Sequence, residues 1–61
     1  MGRLQELYVQ SQTLHDRMFS LENRIHSMVK QGRTPRKAWQ RYLDLFDELR
    51  GVEAEMVIIQ A

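Results

Sequence analysis

Leu4, Leu7, Leu14, Met18, Leu21, Ile25 and Met28 fall on a 3-4-3-4 ladder that only Ser11 interrupts. Apolar residues recurring every 3.5 positions mark a helix that presents a narrow seam to other helices. The spacing predicts one long helix over about residues 3–31. Gly32 follows, where a left-handed residue would end that helix. Thr34 then offers a side-chain oxygen as a cap for the next helix, and Pro35 fits its first turn, where the missing N–H costs nothing.

A second ladder, Ala38, Tyr42, Leu45, Leu49, Val52, Met56 and Ile59, has no polar interruption and predicts a helix over about residues 35–60. Gly51 lies inside it, where glycine costs about 1 kcal/mol against alanine. Because the seam continues on both sides, the helix is expected to run through Gly51, with a kink or a close helix approach as the reason for it. A turn of only about three residues, 32–34, folds the two helices back as antiparallel neighbours. The expected fold is all-α: a two-helix antiparallel hairpin forming a single domain over 1–61.

Trp39, Leu43, Phe46 and Val57 flank the second ladder and widen its apolar stripe beyond what one neighbouring helix covers. The extra width predicts two contact surfaces, one within the chain and one against a second chain, so that two hairpins make an antiparallel four-helix bundle. Alternatively, Trp39 and Phe46 cover the hairpin tip locally. The residues expected to carry self-association are Leu7, Leu14, Met18, Leu21, Ile25, Trp39, Tyr42, Leu45, Phe46, Leu49, Val52 and Met56. Composition strengthens this reading. Sixty-one residues without cysteine have neither a large core nor a disulfide or thiolate metal site to hold them together. Partners are expected.

The net charge of +1 conceals an uneven distribution. Lys30, Arg33, Arg36, Lys37 and Arg41 form a run without an acid, whereas Asp44, Asp47, Glu48, Glu53 and Glu55 outnumber Arg50 from Tyr42 to Ala61, and the first 29 residues balance to zero. The hairpin is therefore an electric dipole with its positive pole at the tip. Arg36 and Lys37 stand in the first turn of helix two, where the helix dipole disfavours cations. One reading is self-assembly with opposite ends together, each basic tip beside an acidic tail. The other is an anionic partner at Lys30, Arg33, Arg36, Lys37 and Arg41, either an acidic protein or a nucleic acid, RNA before DNA. Arg3, Gln10, Arg17 and Arg24 recur every seven residues along one flank of helix one. They read as a solvated flank or as the lining of a phosphate groove.

Little here points to catalysis. His15 and His26 share a helix face but stand roughly 16 Å apart along the axis, too far for one metal. Asp44, Asp47 and Glu48 read as a solvated acidic face, since no Glu-x-x-His pair accompanies them. There is no glycine-rich phosphate loop, no nucleophile with a base beside it, and no cofactor is expected. Phe19 lies off the seam and becomes a docking point if other outward-facing side chains gather around it. The run Val57, Ile58, Ile59 is far below the roughly 20 residues that cross a bilayer, and the N-terminus shows no long apolar signal core, so a cytoplasmic protein is expected.

These observations predict a non-enzymatic regulatory or adaptor module that self-associates as a homodimer and binds another protein. The alternative is a nucleic-acid-binding bundle using the basic tip, joined by Arg17 and Arg24. A third reading makes the chain one piece of a hetero-oligomeric coiled coil.

Overall fold

The computed structural model describes residues 2–60. Helix α1 runs Arg3–Lys30 and helix α2 runs Arg36–Gln60, and the two pack side by side along their length. The result is an antiparallel helical hairpin, a rod with extents of 46 × 16 × 13 Å.

The ladder positions face inward. Leu14, Met18, Leu45 and Leu49 form the buried cluster, with Leu21, Tyr42 and Val52 half-buried against it, and Leu7 is buried to 1% exposure nearer the chain ends. Even Ser11 is half-buried, because the 3.5-residue period and not its polarity decides where it points. Ile59 is the departure from the second ladder. It is 43% exposed, out at the end of α2, where the seam has run past its last partly buried member, Met56.

The turn is built from backbone bonds. Gly32 has φ +75°, its N–H donates to the Val29 carbonyl at 3.0 Å, and the Arg33 N–H donates to the Met28 carbonyl at 2.9 Å. This pair of bonds closes α1 with a left-handed glycine and satisfies carbonyls that the helix end would otherwise leave unpaired. At the start of α2 the Trp39 N–H donates to the Pro35 carbonyl at 2.8 Å, and the Arg36 N–H to the Thr34 carbonyl at 3.0 Å. Pro35 thus serves as the flanking residue whose carbonyl takes the first helical bond, and Thr34 contributes its main chain.

This geometry also explains how Arg36 and Lys37 are tolerated. The carbonyl end of α1 lies beside the N–H end of α2, so the partial charges of the two helix ends oppose each other at the tip. Gly51 sits within an uninterrupted α2, and a Cβ built there meets nothing within 4 Å. No close helix approach requires this glycine, and nothing else in the structure explains it.

Chemical denaturation checks these assignments. Gly51→Ala is expected to stabilise the chain by about 1 kcal/mol, because it restricts the unfolded state and fills open space. Gly32→Ala is expected to destabilise, since its φ lies where L side chains are strained. Leu45→Ala, in the centre of the cluster, is expected to cost about 2–5 kcal/mol.

Candidate functional site

With the seam turned inward, the two broad sides of the rod carry different chemistry. At 100° per residue, Tyr8, His15, Phe19, Glu22 and His26 of α1 project to one side of the seam, and Arg17, Ser20 and Arg24 to the other. On α2 the same division sets Trp39, Phe46, Glu53 and Val57 apart from Lys37, Arg41 and Glu48. Antiparallel packing then brings like to like across the two helices.

The first side is aromatic. His15, Phe19, Glu22, Tyr42, Phe46 and Glu53 line one shallow groove, and Glu22, Ile25, His26, Trp39 and Tyr42 line the next one toward the tip. Phe19 is 64% exposed and Trp39 50%, and Leu43, Phe46, Tyr8 and Val57 are also exposed. Trp39 stacks on Tyr42 with ring centroids 5.4 Å apart and planes 9° from parallel. Tyr42 in turn donates its hydroxyl to Glu22 Oε1 at 2.9 Å across the helices. That hydrogen bond, with lesser contributions from desolvation and the negative charge of Glu22, raises the Tyr42 pKa above the ordinary tyrosine value.

The second side is basic. Arg17, Ser20 and Arg24 of α1 face Lys37, Ala38 and Arg41 of α2 across an open groove of about 450 Å³ floored by Leu21 and Leu45. Among the described residues no carboxylate lines it. Toward the chain ends an adjoining groove takes Val9, Gln10, Thr13, Arg17, Glu48 and Val52, so Glu48 is where the run of positive charge stops. At that end of the rod Arg3 Nε donates to Glu55 Oε2 at 2.7 Å and Arg3 Nη1 contacts Glu6 at 3.3 Å. These two contacts hold the guanidinium in its charged form and raise its pKa further.

The residues singled out in the sequence thus divide three ways. Leu7, Leu14, Met18, Leu45 and Leu49 are buried within the chain, and Leu21, Ile25, Tyr42, Val52 and Met56 are half-buried along the same seam. Trp39 and Phe46 remain outside it. Of the basic run, Lys37 and Arg41 join the groove with Arg17 and Arg24. Lys30, Arg33 and Arg36 are exposed around the turn and do not line it. The placement of Arg17 and Arg24 opposite Lys37 and Arg41 depends on cross-helix register, which the heptad flank alone did not give. Among the described residues no group of three or more His, Cys, Asp or Glu side chains is placed to hold a metal ion, and no helix is long and apolar enough to cross a membrane. Comparison with protein-family models, curated proteins and solved structures finds no match to this chain.

The Tyr42–Glu22 bond makes a pH prediction. A group whose folded pKa is raised contributes stability that is complete below its unfolded pKa, about 10 for tyrosine, and that is lost as pH rises through the folded value. Thermal unfolding is therefore expected to lose this contribution only above about pH 10, and Tyr42→Phe is expected to remove that part of the alkaline dependence. Ultraviolet titration of Glu22→Gln should show the Tyr42 phenol returning toward the ordinary value.

Proposed function

We propose that the hairpin is a non-enzymatic association module that pairs with a second copy of itself through its aromatic side, giving an antiparallel four-helix bundle. The observation that carries this reading is the spread of Tyr8, Phe19, Trp39, Leu43, Phe46 and Val57, all exposed, along the rod. Such a patch on a small chain is an interaction surface. Trp39 lies toward the tip, Phe19 and Phe46 near mid-length, and Tyr8 and Val57 toward the chain ends, so an opposed partner meets apolar side chains along the whole rod.

Size and charge both favour a second copy as the occupant. The broad side, 46 Å by 16 Å, is comparable to one partner's share of a standard interface, about 800 Å². The cations from Lys30 to Arg41 gather at one end and the acids from Asp44 to Glu55 lie toward the other, so tip-to-tail pairing sets opposite charges together while tip-to-tip pairing sets like charges together. The enzymatic reading lacks a cavity that excludes water, because every groove described above lies open along the rod. In this function the pair has a regulatory or adaptor role and binds another protein.

Sedimentation equilibrium tests the pairing. The expected result is a helical species of twice the 7.3 kDa chain mass. Phe46→Glu changes a side chain outside the seam and is expected to weaken the dimer about thirtyfold or more while leaving helicity at the same concentration intact. A fully helical monomer at millimolar concentration overturns the reading, as does a dimer indifferent to Phe46→Glu. A poorly helical monomer overturns it as well and assigns the aromatic side to a different chain.

A further inference from the structure

The basic side is left uncovered by such pairing, since it lies across the rod from the aromatic side. Arg17 and Arg24 are seven residues apart on α1, about 10.5 Å along the axis, and Lys37 and Arg41 are one turn apart on α2, about 6 Å. Together they set four positive charges along the two walls of one strip. Among the described residues none of the four is in a salt bridge, whereas Arg3 is in two. Asp44, three residues beyond Arg41, accepts from Gln40 Nε2 at 3.3 Å and stands outside the groove lining. Like charges gathered this closely repel one another, and a polyanion relieves that repulsion.

We propose that this groove binds the phosphodiester backbone of a nucleic-acid duplex without reading its base sequence. Charge density favours a duplex over an acidic peptide. The strand of a duplex that faces the groove presents one phosphate per about 3.4 Å of axis, so a strip of about 10 Å meets roughly three. An extended peptide with an acid at every position turns only alternate side chains toward the groove, about one charge per 6.6 Å. Three of the four cations are arginines, whose planar forks match phosphate oxygens, and the Ser20 hydroxyl between Arg17 and Arg24 is a further donor. No aromatic side chain lines the groove, so it has no stacking platform for the unpaired bases of a single strand. Two helices side by side span 16 Å, wider than the roughly 12 Å major groove that admits one helix, so the rod lies against the backbone from outside.

Fluorescence anisotropy with the full chain, a duplex DNA and a duplex RNA of the same sequence tests the proposal. A single strand and polyglutamate serve as competing probes. The two duplexes are expected to bind within a few-fold of each other. The logarithmic salt dependence for DNA should have a slope between about −3 and −4, or roughly a hundredfold weakening between about 50 and 200 mM salt. Arg24→Gln combined with Arg41→Gln is expected to weaken binding at least about tenfold at low salt and to reduce the slope by about two. Lys30→Gln combined with Arg36→Gln removes the same charge from exposed positions outside the groove and is expected to change affinity less than about threefold. Equal losses in the two variants, tighter binding of the single strand or polyglutamate, or no duplex binding at low salt each overturn the proposal. Helicity and chain mass recorded in the same samples separate this outcome from that of pairing.

Discussion

Each helix of this chain has one seam, and the hairpin uses both seams on each other. A ladder at 3.5-residue spacing covers a stripe narrow enough for a single neighbour, so once Leu14 and Met18 meet Leu45 and Leu49 the inward capacity of the fold is filled. Apolar side chains off the two seams must lie outside. That is why, among the described residues, five hydrophobic side chains are buried while ten large ones are exposed, and why the surface and not the interior distinguishes one side from the other. Small size has the same effect, since a rod two helices wide has no second layer in which Trp39 or Phe46 can be hidden.

Sorting across the seam gives the molecule its character. Helical periodicity alone places Arg17 and Arg24 on one flank and His15, Phe19 and Glu22 on the other, and the second helix repeats the division with Lys37 and Arg41 against Trp39 and Phe46. The antiparallel fold then superposes matching flanks. The aromatic side also carries Glu22 and Glu53, so the two sides differ in charge as well as in hydropathy, and a molecule engaging one of them leaves the other free.

The parts legible in the sequence are those set by local geometry. The ladders revealed the helices because apolar period and helical pitch nearly coincide, and Gly32 marked the end of α1 because a left-handed residue there has to do without a Cβ. The continuity of α2 through Gly51 followed from the seam on both sides of it. What remained hidden depends on relations between distant residues. Spacing cannot say whether Leu7 and Leu14 pack within the chain or between chains, because the two interfaces ask for the same residues. The contiguous run from Lys30 to Arg41 suggested one basic patch at the tip. The heptad flank offered Arg17 and Arg24 as additions to it; which members share a groove is set by the cross-helix register, and Lys37 and Arg41 line one with those two arginines while Lys30, Arg33 and Arg36 stand exposed around the turn.

Two polar contacts bridge the helices at very different sequence distances. Tyr42 to Glu22 spans 20 residues near the turn, and Arg3 to Glu55 spans 52 near the chain ends. Closing the longer loop from an open chain costs about 0.8 kcal/mol more than closing the shorter one. Each contact made near Gly32, however, shortens the loop left for the next. Loop closure therefore favours assembly from the turn outward. The Arg3–Glu55 clasp closes the longer of the two loops, and it does so beside Leu7, the most deeply buried side chain described.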